Sequence, residues 1–352
     1  MTMTRVAQWA TGTTGRLALR AIIDAPSLDL VGVRVYDPHK VDVDAGVLAG
    51  RPSTGVLATD DNATLVRARP DIVLYMGAVE SHPDDCFADV VNLLMAGIDV
   101  IATGSSFIDV NAFEPKRAAD IDAACRRGGA TFLGVGIFPG FWGEAVAPLL
   151  ARLSAGCSTI TVRESLSYAG YPSREILVEV MGYGQPVESK APLLSDPARA
   201  GSAFVATASV LTRVLGLKIS AVEPFRETAV TPRALRVAAG DIAAGTVAAI
   251  KLGVRVDCGP VTIVVEHVTW LDDGVAPEWS TGEGYEIEFD GAPTLRCNLV
   301  LGTAGENRTE MGCLATAMHA VHAIEYVTAA PPGIADLADT VLITGGHAWP
   351  QT

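Results

Sequence analysis

The most constraining feature of the chain lies at its N-terminus. Arg5–Trp9 reads as an apolar strand, and Ala10-Thr11-Gly12-Thr13-Thr14-Gly15 matches a GxGxxG fingerprint with Ala in its first place. Arg16–Ile23 then has the periodicity of an amphipathic helix. In a strand–turn–helix of this kind, Gly12 lets the backbone approach a pyrophosphate and Gly15 permits close helix–strand packing, while the helix N-terminus turns its amide dipoles to the anion. Ala10, Thr11, Gly12, Thr13, Thr14 and Gly15 are therefore read as a dinucleotide-binding loop. Asp37, 22 residues after Gly15 at the end of the second strand, suits both ribose hydroxyls and repels a 2′-phosphate. His39 and Lys40, just beyond, are placed to neutralise one. The expected cofactor is NAD or NADP, with a lean to NAD. Gly77 and Thr103, which follow the strands Ile72–Met76 and Val100–Ala102, complete the cofactor set.

The same alternation continues. Strands are expected at Leu30–Tyr36 and Thr131–Val135 as well, with helices at Asp85–Ala96 and Asn111–Arg127 between the runs, the rhythm of a doubly wound parallel sheet. After Pro139-Gly140 the rhythm changes. Asp196 as N-cap, Pro197 in the first turn and Gly216 past the end mark a helix. Val247–Val256 and Val261–Leu271 flank Asp257-Cys258-Gly259-Pro260, and Tyr285–Phe289 and Leu295–Leu301 flank Asp290-Gly291, so two hairpins are expected. A helix over Gly312–Val327 and a short strand at Val341–Thr344 close the chain. The fold class is α/β: a Rossmann domain over residues 1–140, completed by residues 311–352, and an α+β domain with an antiparallel sheet over residues 141–310.

Composition narrows the function classes. The 352 residues carry 26 Lys and Arg against 40 Asp and Glu, a net charge of −14, which repels nucleic-acid backbones and anionic membrane surfaces. No apolar run approaches the ~18 residues of a membrane helix, and a cytoplasmic location is expected. The six cysteines form no CxxC pair and read as reduced thiols. No metal site is expected: His319 and His322 share a helical face without a third ligand, and Glu266-His267, adjacent in a strand, face opposite sides.

Some side chains stand out chemically. Alternation in Ile160-Thr-Val-Arg-Glu-Ser-Leu-Ser-Tyr168 puts Glu164 on the apolar face, where a carboxylate is either structurally paired or a tuned acid. Tyr168 and Tyr171 end that segment with phenols able to orient a substrate oxygen or nitrogen. Glu144 stands at the start of a helix, where its charge suits the dipole.

Trp9–Gly15, Leu30-Val-Gly-Val, Asp44-Ala-Gly-Val-Leu-Ala-Gly50, Gly136-Ile-Phe-Pro-Gly-Phe141, Val180-Met-Gly-Tyr-Gly-Gln-Pro186 and Ala329-Ala-Pro-Pro-Gly333 resemble the dihydrodipicolinate-reductase-like family. The nearest branch is that of 2,4-diaminopentanoate dehydrogenase and the bacterial native amine dehydrogenases. The resemblance implies NAD(P)H-linked reduction of a carbonyl or imine and a second domain used for substrate binding and homodimerisation. Phe138, Phe141, Tyr168 and His319 are then expected on a small-molecule substrate. The His-His pair of true dihydrodipicolinate reductases is absent, as is the Glu-Lys-Pro motif of the glucose-fructose oxidoreductases. The branch also implies a catalytic Glu just after Val100–Thr103, where this chain has Gly104, Ser105 and Ser106. Hydride transfer needs a proton donor near the reacting heteroatom, and Glu164, Tyr168, Tyr171, Ser105 and Ser106 are the catalytic candidates. The acid is missing at that strand end unless Asp109 or Glu114 replaces it, and reduction of a largely apolar carbonyl or preformed imine is favoured over ammonia-dependent chemistry unless Glu164, Asp109 or Glu144 reaches the nicotinamide. The alternative is a regulatory, non-catalytic NAD(P)-binding protein.

Overall fold

The computed structural model describes residues 3–171, 173–192, 197–279, 282–303 and 306–338. The chain divides into two compact units, Met1–Phe141 with Gly312–Thr352, and Trp142–Met311.

In the first unit the strands are β1 (Thr4–Trp9), β2 (Leu28–Arg34), β3 (Ala58–Thr59), β4 (Ile72–Tyr75), β5 (Asp99–Thr103) and β6 (Thr131–Val135). A late strand, Gly333–Ile334, pairs with β6, and the parallel sheet runs Gly333–Ile334, β6, β5, β4, β1, β2, β3. Strand order reverses between β1 and β4, the switch point at which doubly wound sheets open a crevice at their carboxyl edge. Helices α1 (Thr13–Asp24), α2 (Ala45–Ala49), α3 (Asn62–Arg67) and α4 (Pro83–Met95) are followed by the short turns α5 (Ser105–Ile108) and α6 (Val110–Phe113), then α7 (Pro115–Gly128). The helix expected over Asn111–Arg127 is thus broken. Pro115 has no N–H to donate and pushes the preceding residue out of the helical region, and Glu114 sits at φ −146°, ψ 92°. One core runs through an aromatic row, with ring centroids 5.4 Å apart for Trp9–Tyr75, 6.1 Å for Tyr75–Phe107 and 5.8 Å for Phe107–Phe132. A second, aliphatic core gathers Leu19, Val33, Val35, Ala45, Ala49 and Ala58.

In the second unit β7 (Cys157–Ser167), β8 (Ala221–Val230), β11 (Val247–Asp257), β12 (Thr262–Trp270), β13 (Gly284–Gly291) and β14 (Leu295–Leu299) form one sheet in the order β14, β13, β7, β12, β11, β8. A separate ribbon pairs β9 (Leu235–Val237) with β10 (Gly240–Ile242). Both expected hairpins form, β11 with β12 and β13 with β14. The sheet is mixed, though, and not purely antiparallel: β7 and β12 run parallel, with Glu164 opposite His267. The long connection through helix Pro197–Val214, β8 and β11 brings β12 back in the direction of β7, which a parallel pair requires of its crossover. Asp196 and Val341–Thr344 lie outside the described residues. No helix among the described residues is long and apolar enough to cross a membrane.

Candidate functional site

The loop after β1 opens a cavity of about 520 Å³, lined by Ala10, Thr11 and Gly12, by Tyr36, Asp37 and Lys40, and by Met76, Ala78, His82, Asp85 and Cys86. Its size is that of an ordinary small-ligand pocket. Gly12 is the N-cap of α1 and supplies no side-chain cap, and the first turn of α1 holds no acidic residue. A helix start left in that condition turns unpaired N–H groups and positive dipole toward an anion. A Cβ built on Gly12 meets nothing within 4 Å, whereas one on Gly15 lies 2.2 Å from the Ala10 carbonyl oxygen. The first glycine thus leaves room beside the backbone and the second is required for packing. Ala10 takes φ 69°, the left-handed conformation at the place where the fingerprint has glycine. Thr13 is exposed and Thr14 half-buried at the start of α1.

The acceptor expected for the ribose is in place but partly engaged. Asp37 Oδ1 accepts from the His39 N–H at 2.9 Å and so caps the turn Pro38–Lys40, one oxygen serving the protein's own backbone. Lys40 reaches back over the loop, its Nζ donating to Thr11 O at 3.1 Å and Thr11 Oγ1 at 3.3 Å. His39 is exposed beside it. Tyr36, which sequence reasoning passed over, forms a wall of the cavity, its hydroxyl fixed by the Trp9 Nε1–H at 2.9 Å and its ring covered by the Arg34 guanidinium at 4.7 Å. An aromatic immediately before an acidic strand end was the available signal.

Across the switch point the backbone leaves β4 through Met76–His82. Gly77 is buried, with a notional Cβ within 3 Å of the Tyr75 ring, and Thr103 is buried at the end of β5. Gly104 (φ 120°) turns the chain into α5. Ser106 is buried, whereas Ser105 is half-buried and donates both its N–H (2.9 Å) and its Oγ–H (3.2 Å) to Glu80 Oε1. That carboxylate, in the loop after β4, had no signal in the sequence. Asp109 caps α6, its Oδ1 accepting from the N–H groups of Asn111 and Ala112.

Farther along the first unit, Phe138 is half-buried, and the Phe141 ring meets His319 edge-on at 5.6 Å. His319 Nδ1 donates to the Gly136 carbonyl at 3.0 Å, which leaves Nε2 as the acceptor of the neutral ring. Burial holds the imidazole below its ordinary pKa, with the Gly136 hydrogen bond opposing.

In the second unit Glu164, Tyr168 and Tyr171 come together, joined by His267. Because β7 and β12 are parallel and in register, His267 emerges beside Glu164, with Nδ1 2.8 Å from Oε2. Its Nε2 lies 3.5 Å from the Tyr168 hydroxyl, and Tyr168 stacks on Tyr171 with centroids 5.5 Å apart. Burial first, then the Glu164 charge, raises the Tyr168 phenol well above the ordinary range. Glu266 faces the other side, where Arg163 binds it at 2.5 Å and Glu286 at 2.8 Å. Glu144 is fully buried in a π-helical turn and accepts from Thr207 Oγ1 at 2.6 Å, so the simple helix-dipole role expected for it gives way to a buried hydrogen bond. Among the described residues no group of three His, Cys, Asp or Glu is placed to hold a metal ion.

No family model matches the chain. It is 30% identical over 348 residues to an amine dehydrogenase from Streptomyces virginiae, covering 95% of each protein. The structure of the amine dehydrogenase from Mycobacterium smegmatis matches with a TM-score of 0.76 at 21% identity, over 95% of both chains. Biliverdin reductase from Synechocystis sp. PCC 6803, solved with biliverdin and NADP+, matches with a TM-score of 0.56 at 14% identity, over 98% of this chain and 96% of that one. The two structural likenesses speak for the fold alone. The sequence relationship extends over nearly the whole length of both proteins, and by it the chain belongs to the amine dehydrogenase family.

Proposed function

We propose that the chain is a cytoplasmic NAD(P)-dependent oxidoreductase of amine dehydrogenase type that interconverts a small or medium, largely apolar carbonyl or imine with its reduced partner. The carrying observation is the 520 Å³ cavity at the uncapped start of α1, with open space beside Gly12. In it, the amides of Gly12–Gly15 hold the pyrophosphate and Asp37 accepts from the adenosine ribose with the oxygen that the turn leaves over. The lean is to NAD, because a 2′-phosphate beside Asp37 is repelled and Lys40 is already engaged with Thr11. The bound nicotinamide supplies or takes the hydride. In the first unit Gly77 and Thr103 border the cofactor's path, and Phe138, Phe141 and His319 are its substrate-contact residues; in the second unit Tyr168, with Glu164 and Tyr171, is the proton-donor group. Ser105 and Ser106 are hydrogen-bond donors at the end of β5. Kinship with dihydrodipicolinate reductases and a twofold homodimer, the commonest closed assembly, belong to the same reading.

The test is titration with NADH and NADPH, followed by turnover of a panel of aldehydes and ketones with and without ammonium. The expected result is binding with tighter NADH, and turnover of apolar members. Binding without any turnover would replace the enzyme with a regulatory dinucleotide-binding protein. Light scattering at 36.7 kDa, the mass of one chain, would overturn the dimer.

A further inference from the structure

Oxidation of a primary amine poses a charge problem that carbonyl reduction does not. The substrate arrives as an ammonium, must lose a proton before its nitrogen lone pair can form the C=N bond, and leaves hydride transfer as an iminium cation. A site for this chemistry needs an unneutralised carboxylate beside the reacting carbon. At Gly104-Ser105-Ser106 the strand end itself offers none.

The structure places one there from the neighbouring loop. Glu80 follows β4, and its Oε1 is docked on β5's exit by two hydrogen bonds, from Ser105 N at 2.9 Å and Ser105 Oγ at 3.2 Å. Gly104 makes the seat. A Cβ there would stand 2.5 Å from Val79 Cγ1 and 3.2 Å from Glu80 Oε1, and φ is 120°, so any larger residue would push the loop away. Glu80 is exposed, its Oε2 has no hydrogen bond among the described residues, and no Lys or Arg pairs with it there. Loop residues on both sides of it, Ala78 and His82, line the cofactor cavity. The position is chemically directed. With the adenosine ribose on Asp37 beyond β2 and the pyrophosphate on Gly12 after β1, a dinucleotide laid across the switch point carries its other half toward β4 and β5.

We infer that Glu80 is the carboxylate that binds the substrate's ammonium and holds the iminium, with Ser105 fixing its position; this rests on the amine dehydrogenase reading above. In the oxidative direction the Glu80 carboxylate takes one proton from the substrate's ammonium group, giving the neutral primary amine. As the bond between the amine-bearing carbon and its hydrogen breaks and the electron pair leaves as hydride to the oxidised dinucleotide, the nitrogen lone pair forms the C=N bond. The product iminium, which keeps two hydrogens on nitrogen and one positive charge, lies against the carboxylate once Glu80 has passed its proton to water. Addition of water and loss of ammonium then release the carbonyl. The reverse sequence is reductive amination.

The experiment compares wild type, Glu80→Gln and the double variant Glu80→Gln/Ser105→Glu, in which a carboxylate returns on the other partner of the same hydrogen bond. Each is measured for NADH affinity and for NADH oxidation on the aldehyde and ketone panel with and without ammonium chloride. Glu80→Gln should keep NADH affinity within about twofold and lose ammonium-dependent turnover about 100-fold or more, the usual weight of a proton-transfer group. Turnover without ammonium should change far less. The double variant should recover a substantial part of the ammonium-dependent rate. Wild-type ammonium-dependent rates in Glu80→Gln overturn the role of Glu80 and leave the enzyme reading standing. Absence of ammonium-dependent turnover in the wild type itself overturns the amine reading, and the role of Glu80 with it.

Discussion

The two glycines of the cofactor loop make opposite demands on a methyl group, and this contrast tests the placement of the dinucleotide. At Gly15 a Cβ would lie 2.2 Å from the Ala10 carbonyl oxygen and 2.9 Å from its carbon, both backbone atoms that no rotamer change can move. Overpacking of that kind costs about 1–3 kcal/mol, and the better helix propensity of Ala returns at most about 1 kcal/mol. Gly15→Ala should therefore lose about 1–2 kcal/mol and lower Tm by several degrees. At Gly12 the backbone has φ −67°, which any L-residue adopts, and the added methyl meets nothing within 4 Å. Gly12→Ala should cost only the modest N-cap preference of Gly over Ala, under about 1 kcal/mol. Its methyl occupies the space proposed for the pyrophosphate, so NADH affinity should fall at least about tenfold, or about 1.4 kcal/mol. Thermal denaturation with and without NADH reads both effects. At a concentration near 100 times the wild-type Kd, ligand stabilises wild type by about 2.7 kcal/mol and a tenfold weaker binder by about 1.4 kcal/mol. A Gly12→Ala variant with the full ligand-induced shift would refute the placement of the pyrophosphate. An unchanged Tm in Gly15→Ala would refute the loop geometry from which it is inferred.

Burial raises Asp99 to about 6 despite the Thr131 N–H it accepts. Because the folded state then holds its proton more tightly than the unfolded one, stability falls as pH rises from about 4 to about 6; Asp99→Asn should raise Tm at about pH 7.5 and not at about pH 4. His319 is depressed below its ordinary 6.5, so the unfolded chain takes up the proton first and stability is lost as pH falls below about 6.5; urea midpoints of His319→Gln should lack that part of the decline. Gly129, at φ 73° with nothing within 4 Å of a notional Cβ, isolates backbone strain, and Gly129→Ala should cost about 1 kcal/mol by denaturant unfolding. Arg163→Met should cost about 3–5 kcal/mol, because Glu266 and Glu286, with side chains 7% and 8% exposed, lose the cation between them. A loss below about 1 kcal/mol would mean that water reaches both carboxylates.

What the sequence displays is what short-range physics decides. Five strands of the parallel sheet were readable because each, with its turn and helix between Thr4 and Val135, occupies one stretch of chain with apolar periods of two and 3.6 residues in turn, whereas Ala58–Thr59 and Gly333–Ile334, two residues each, are too short to show a period. The β11–β12 and β13–β14 hairpins were readable from Asp257–Pro260 and Asp290-Gly291 for the same reason. The break at Glu114 was equally local, since Pro115 is visible in the sequence, and the apolar period continuing through Ala118, Ile121 and Cys125 hid it. The parallel pairing of β7 with β12 was not readable. Strand direction depends on how an intervening crossover packs, and no residue of either strand differs in kind for a parallel or an antiparallel neighbour.

The site divides along the same line. Gly12, Gly15 and Asp37 are recognisable because their work is done by backbone shape and charge within a few residues of themselves, and the cavity forms around them. Even there the Asp-Pro pair at 37 and 38 hides a second duty, since a carboxylate before a Pro-started turn caps it and has one oxygen fewer for ribose. Glu164 was placed correctly on the apolar face by alternation, but its partner is His267, far along the chain and chosen by register alone. Glu80 is the limiting case. In sequence it is an unremarked acid in a polar loop, and only the adjacency of β4 and β5, with Gly104 clearing the space, sets its carboxylate on Ser105. In the role proposed for Glu80, a carboxylate missing from one strand end is carried by the neighbouring one, because parallel strands bring their carboxyl-end loops to the same edge of the sheet. The position at which a sequence motif lacks its acid therefore locates a chemical need, and the residue that meets it is found among the loops sharing that edge.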